Sequence, residues 1–317
     1  MTEVESKPGA AQNPASRQPI GRATVRVPGV CGELVQGMLG NQHFMVTCPV
    51  DFYSRVTVEI QSGEVQGGEG QVSAPPDCAK SVAAVKNTLA QLGQENLNAT
   101  LTVSNPIPRG KGMGSSSADV TGAIAATGLA LGQALSPSLI AELALSVEPS
   151  DGVMFPGIAL FDHREGNIVE EMGAPPPMEI VALDFGGTVD TLEFNQIDHD
   201  DAWHALQEVT DRALNLVRLG IEEGDPALVG KGASLSAGAS QHILEKRQLS
   251  RVAEFAESVG AVGICVAHSG TVIGVLLDAR QRRGKSTFRK AQQRFPDAEV
   301  VHHFRLMSGG VQVVGTP

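Results

Sequence analysis

Apolar residues along the chain recur with two periods. In "ATVRVPG" (23–29) and "HFMVTCPVDFYSRVTVEI" (43–60) they alternate with polar residues, most clearly at Val56, Val58 and Ile60. A period of two predicts strands, here divided by a glycine-rich turn around Gly37 and Gly40. Residues 62–76, rich in Gly, Ser and Pro, predict a loop. From 80 to 93 the spacing of Val82, Val85, Leu89 and Leu92 predicts a helix closed by Gly93. The strand "NATLTVSNPIP" (98–108) follows, then a helical stripe at Val120, Ile124, Leu131 and Leu135, whose Gly122, Ala123, Ala125 and Ala126 suit close packing on a sheet. Pro137 opens another helix, which stops at Glu148-Pro149, and residues 157–172 predict a pair of hairpin strands.

"GAPPPMEI" (173–180) is the expected domain boundary. Beyond it the pattern predicts a strand, a helix over 201–224, two further helices, strands at "AVGICVAHSG" and "TVIGVLLD", a helix at "STFRKAQQRF" and a strand at "AEVVHHFRL". This order predicts an α+β second domain, ferredoxin-like. The expected organisation is a disordered leader over 1–21, an N-terminal domain over 22–172 and a C-terminal domain over 178–317. A chain of 317 residues is long enough for two cores.

Charge and cysteine content narrow the function classes. A net charge of −11 argues against nucleic acid or an anionic membrane as partner, though a phosphorylated ligand needs only local N–H groups. Cys31, Cys48, Cys78 and Cys265 have neither zinc nor C-x-x-C spacing, which points to a reducing, cytoplasmic setting. The leader lacks an apolar signal segment, and no apolar run is long enough to span a bilayer.

The candidate chemistry centres on "NPIPRGKGMGSSSAD" (105–119), between a strand and a helix. Gly110, Gly112 and Gly114 permit positive φ and close approach of backbone N–H groups. Ser115, Ser116 and Ser117 fall at the helix start, where unpaired N–H groups and the dipole attract anions. The Walker A spacing fails because Gly112 follows Lys111, and the dinucleotide loop fails for want of a G-x-G-x-x-G spacing with an acidic residue about 20 residues on. A flexible linker accounts poorly for the prolines before it and the compact helix after it, so a phosphate cradle is the preferred reading.

Three further stretches carry candidates. In "VEPSDGVMFPG" (147–157), Glu148 and Asp151 either share a divalent cation, or divide into a metal ligand and a proton acceptor, or merely cap a helix and shape a turn. "VAHSGTVIG" (266–274) predicts a hairpin with His268, Ser269 and Gly270 at its tip, either structural or facing the cradle. Glu33 in "VPGVCGELVQG" and Asp51 in "CPVD" either meet a ligand ammonium or serve their turns. "IDHDDAWH" and "HHF" read as a helix start and a strand rather than metal sites.

Together these motifs resemble the GHMP kinase superfamily, which includes galactokinase, homoserine kinase and mevalonate kinase. "PIPRGKGMGSSSAD" is similar to its P-x-x-x-G-x-G-L-G-S-S-A-A loop, with Met113 for Leu and Ser117 for Ala. "PGVCGELVQG", "CPVDFYS", "VEPSDGVMFPGIALFDH" and "VAHSGTVIG" resemble the L-threonine kinase branch, which serves cobalamin synthesis. The likeness runs from about residue 24 to 314.

The resemblance implies an N-terminal domain like domain 2 of ribosomal protein S5, a ferredoxin-like C-terminal domain, and ATP with Mg²⁺ between them. It implies a nucleotide loop of Pro108, Arg109, Gly110, Lys111, Gly112, Met113, Gly114, Ser115, Ser116 and Ser117, with Ser116 and Glu148 on the metal. Asp151 is the implied base for the threonine hydroxyl. Relatives such as mevalonate kinase carry a lysine in the first motif; this chain has none there, so Lys111 or Arg109 is expected to supply charge. For an amino-acid substrate, Glu33 and Asp51 suit the ammonium, while N–H groups around Cys31 and Gly32, or the turn at His268 and Ser269, suit the carboxylate. The expected partner is this small molecule alone, bound by a monomer or homodimer. Another small alcohol such as homoserine, or a non-catalytic nucleotide sensor, is the alternative.

Overall fold

The computed structural model describes residues 18–62, 69–187 and 199–315. Two long antiparallel strands, β1 (Gln18–Leu39) and β2 (Gln42–Ser62), form its axis. The chain reverses between them at Gly40, whose φ of 60° is open to glycine at little cost. Strand β1 starts at Gln18, so the last four residues of the expected leader are in the sheet, paired with the far end of β2. Residues 1–17 of that leader lie outside the described residues. The register of β1 shifts between Pro28 and Val30, Val30 and Glu33, and Glu33 and Val35. Bulges of this kind bend a strand and re-aim its side chains.

After the short β3 (Val72–Ser73) come α1 (Ala79–Gln91), β4 (Asn98–Ser104), α2 (Ser115–Ala130), α3 (Pro137–Leu145), β5 (Ile158–Phe161) and β6 (Val169–Gly173). The second half holds β7 (Met178–Asp184), α4 (Asp200–Ala205), α5 (Gln207–Glu222), α6 (Pro226–Ala239), α7 (Leu249–Ser258), β8 (Gly263–Val266), β9 (Ile273–Asp278), α8 (Gly284–Arg294), β10 (Val300–Arg305) and β11 (Gln312–Val313). The strand order is β10-β7-β9-β8-β1-β2-β4-β3, with β11 beside β1, β5 beside β2 and β6 beside β5. Every pairing except β3 with β4 is antiparallel. The expected boundary at 173–177 falls in the link from β6 to β7, and the strands on both sides belong to this one sheet.

The elements make a two-domain α+β fold with two apolar cores. The larger joins β1, β2 and β4 to α1–α3 and to the inner faces of α5 and α6. The smaller packs Val252, Phe255 and Phe295 of the α7–α8 layer on Val181, Ile264, Ile273 and Val275. Helix α2 is buried over nearly its whole length. Its small residues make that possible: a Cβ on Gly122 would lie 2.6 Å from Val56 Cγ2. The single helix expected over 201–224 is divided at Leu206. The break buries Trp203, whose ring stacks 6.3 Å from His268, while α5 keeps its own stripe on the core. Among the described residues, no helix is long and apolar enough to cross a membrane.

Candidate active site

A cavity of about 710 Å³ opens where the glycine loop, the start of α1, the 148–151 turn and the 267–270 turn meet. The loop runs from the end of β4 to Gly114, the N-cap of α2, with φ of 69°, 76° and 67° at Gly110, Gly112 and Gly114. Its carbonyls are held from behind. Val30 N–H donates to Met113 O (2.9 Å), Gly32 N–H to Gly112 O (3.3 Å), and Thr271 and Val272 N–H to Lys111 O (3.1 and 3.2 Å). That arrangement leaves the loop N–H groups and the start of α2, which has no side-chain cap, to face the cavity. Unpaired N–H groups at a helix N-terminus bind phosphate.

A side-chain network absent from the sequence reading braces the loop. Asn105 Nδ2 donates to Ser115 O (3.1 Å), Ser115 Oγ (3.0 Å) and Asp119 Oδ1 (2.7 Å), and its own carbonyl accepts from Ile107 N–H (2.8 Å). Ser54 Oγ on β2 donates to the same Asp119 oxygen (2.5 Å). The loop is thereby tied to the sheet, which pre-organises the cradle.

The turn after α3 brings Glu148 to the cavity wall, 8% exposed. Ser116 Oγ donates to Glu148 Oε1, and Lys80 Nζ from the first turn of α1 pairs with Glu148 Oε2. One carboxylate and one hydroxyl beside a phosphate cradle are the hard oxygen donors that Mg²⁺ accepts, alongside waters and phosphate oxygens. Among the described residues no group of three or more His, Cys, Asp or Glu could hold a metal, so these two donors suit a cation shared with a nucleotide rather than one held by protein alone. Lys80 was not anticipated. The available signal was a lysine in the first turn of a helix, where the dipole disfavours a cation, and its carboxylate partner lies 68 residues away.

Asp151 sits across the loop from this pair. Its backbone N–H donates to Ser117 Oγ (3.1 Å), and a Cβ on Gly114 would lie 3.0 Å from its Oδ2. Burial, with the charge of Glu148, outweighs the lowering effect of the Ser117 side chain on the carboxyl and raises its pKa from 3.8 to about 6. Glu33, re-aimed by the β1 bulges, also lines the cavity at 3% exposure. Burial first, then the charges of Asp151 and Cys265, push its carboxyl well above the usual range. His268 and Ser269 line the cavity as expected. His268 Nδ1 contacts Gln36 Oε1 at 2.6 Å.

Lys111, Asp51, Cys31 and Gly32 are placed away from the cavity. Lys111 leaves the back of the loop: its ammonium pairs with Asp184 (2.8 Å) and Glu299 (3.2 Å), so it braces the loop instead of reaching reacting atoms. Asp51 follows the buried Val50 on β2, points outward by strand alternation, and accepts from Arg305 N–H (2.8 Å). Cys31 is fully buried and its carbonyl accepts from Cys265 Sγ (3.1 Å), while the Gly32 N–H is used on Gly112. Arg109 stays at the cavity rim, paired with Asp77 (2.9 Å).

The Lys111–Asp184 pair is 13% and 6% exposed, so its rupture is costly. Lys111→Met is expected to lower stability by about 3 kcal/mol at neutral pH, because Asp184 stays buried without its cation. Burial alone would raise the Asp184 pKa, but the bonds from Lys111 and Thr271 overcome it and hold the carboxyl below its usual value. The deficit therefore shrinks as acid neutralises Asp184, which urea unfolding at several pH values would read.

Comparison with known proteins agrees with this geometry. The family model described as "GHMP kinases N terminal domain" matches residues 79–156, and "GHMP kinases C terminal" matches residues 217–296. An L-threonine kinase of Salmonella typhimurium is 30% identical over 302 residues, covering 92% of this chain and 95% of that protein. An L-threonine kinase of Citrobacter freundii is 30% identical over 300 residues, covering 92% and 99%. Among solved structures, homoserine kinase from Cytophaga hutchinsonii superposes with a TM-score of 0.66 at 15% identity, covering 98% of this chain and 100% of that one. With a phosphate cradle at the start of α2, a carboxylate–hydroxyl pair beside it and two-domain similarity along most of its length, the chain belongs to the GHMP kinase family.

Proposed function

We propose that the protein is an ATP-dependent kinase that phosphorylates the side-chain hydroxyl of L-threonine, with Mg²⁺ as the metal. The observation that carries this reading is the convergence of Ser116, Glu148 and Asp151 on one cavity beneath the glycine loop, in a chain 30% identical to L-threonine kinases over most of its length. The N–H groups of Gly110–Ser116 would hold phosphate oxygens, and Ser116 Oγ with Glu148 would hold the metal. When bound, Mg-ATP supplies the phosphoryl group and the cation that screens its charge. Lys80, paired with Glu148, places a positive charge beside the carboxylate that would hold the metal. Asp151 accepts the hydroxyl proton: desolvated, it is a stronger base than an ordinary carboxylate yet still ionised at neutral pH. Glu33 receives the substrate ammonium, whose charge would offset the cost of ionising that buried acid.

The product, O-phospho-L-threonine, would feed the aminopropanol linker of the cobalamin nucleotide loop. All four cysteines are free thiols, which supports a reducing cytoplasm as the setting. The test is ADP release with Mg-ATP against L-threonine, L-serine, L-homoserine and mevalonate. L-threonine is expected to give the highest kcat/KM. Preference for homoserine would keep the fold and overturn the substrate, and nucleotide binding without turnover of any alcohol would make the protein a sensor.

A further inference from the structure

Two buried polar groups on the cavity wall have no role in the phosphate or metal chemistry. His163, after β5, is 2% exposed, and neither ring nitrogen has a hydrogen-bond partner among the described residues. Ser150, between the metal-side Glu148 and Asp151, is 2% exposed, and its Oγ likewise has no partner among them. The two are joined through the backbone, Ser150 N–H donating to His163 O (3.0 Å), and both side chains line the same cavity. A neutral imidazole always carries one N–H, and a hydroxyl carries one O–H. Buried donors of this kind are nearly always satisfied in a folded protein, so two adjoining exceptions in residues of a cavity wall point to a ligand acceptor.

The surroundings choose the sign of that ligand. His163 packs edge-on against His268 (5.0 Å between centroids) and His43 (6.2 Å), and Arg164 adds a positive charge beside it. The charges that act on it are those of His268, Arg164 and His43, whereas Glu33 is one of the carboxylates that line the same cavity. We propose that His163 and Ser150 form the subsite that receives the carboxylate of the amino-acid substrate, opposite the ammonium partner Glu33, and so select α-amino acids over alcohols without a carboxylate. This rests on the L-threonine kinase reading. Burial, reinforced by the two histidines and Arg164, holds His163 uncharged in the empty site. A bound carboxylate would take its N–H as a hydrogen bond without requiring an ion there beforehand.

The experiment compares wild type with His163→Leu, His163→Gln and Ser150→Ala, using L-threonine as substrate and L-threoninamide as competitive inhibitor. Loss of a donor to a charged acceptor is expected to raise the KM for L-threonine about 10–100-fold in His163→Leu. The kcat and the KM for Mg-ATP should stay within about threefold, and inhibition by the amide should be unchanged. Gln, which keeps an N–H donor, is expected to recover most of the loss, and Ser150→Ala to show a smaller rise of the same kind. Equal losses for acid and amide, an unchanged KM in His163→Leu, or a Gln variant as impaired as Leu would overturn the proposal. If the amide binds neither protein measurably, the comparison of Gln with Leu decides. A wild type that phosphorylates L-threonine beside an unaffected His163→Leu defeats this inference alone, whereas a wild type that phosphorylates no amino acid defeats the kinase reading as well.

Discussion

Asp151→Asn is expected to lower kcat by about 10²–10⁴-fold, the usual range for a lost general base. The KM for Mg-ATP should hardly move, because the loop N–H groups proposed to hold phosphate do not depend on the carboxylate. In wild type, kcat/KM should fall on the acid side with an apparent pKa near 6, where Asp151 takes up its proton. The variant should lose that limb. A loss below about tenfold would mean that positioning and charge neutralisation carry the reaction, which a loose phosphoryl-transfer transition state allows.

The same substitution should make the ligand-free protein more stable. Between pH 3.8 and about 6 the folded chain keeps a proton that the unfolded chain has released. Stability therefore declines as pH rises through that window and stays low above it. Asn removes the ionisable group, so at pH 7 the variant should gain up to about 3 kcal/mol, with the gain vanishing near pH 4. Thermal melts across that range would measure it. A more stable but inactive protein separates a functional carboxylate from a structural one, since a structural acid would cost stability when replaced.

Glu148→Gln has the second-largest expected effect. The carboxylate is where Ser116 and Lys80 converge, and on the proposed reading removing its charge takes away the acidic metal ligand. We expect kcat to fall about 10²–10³-fold, comparable to loss of a charge-stabilising group in other enzymes. The Mg²⁺ concentration for half-maximal rate should rise, and excess Mg²⁺ should recover part of the activity. Lys80 is about half exposed, so loss of its ion pair should change stability by less than about 1 kcal/mol. A normal Mg²⁺ requirement in the variant would remove Glu148 from the metal site.

The parts of the site legible in the sequence were those whose chemistry is local. The glycine loop, the start of α2, Glu148 and Asp151 each sit in a short stretch whose composition already states a backbone need. Lys111 shows the limit of that reasoning. It stands between two glycines of positive φ, and those turns carry its side chain behind the loop to Asp184, far along the chain. Asp51 was misplaced although strand alternation beside the buried Val50 could have placed it outward. Lys80 and Asn105 act through partners that only the folded chain brings near, and no period or spacing encodes such meetings. In the fold, individual strands and helices were legible, but the sheet that runs through both halves was not, because its β1–β8 joint pairs Glu33 with Val266.

That joint, with the 267–272 turn clasping the back of the glycine loop, has a consequence for synthesis at the ribosome. The loop motif emerges early, but the groups holding the Lys111 carbonyl belong to Thr271 and Val272, some 160 residues later. Contacts this distant in sequence form late and slowly. A nascent chain that has reached only the end of α3 carries the whole phosphate-binding motif and lacks its rear support. Nucleotide affinity should therefore arrive in a step, once residue 272 has cleared the exit tunnel, rather than growing with chain length.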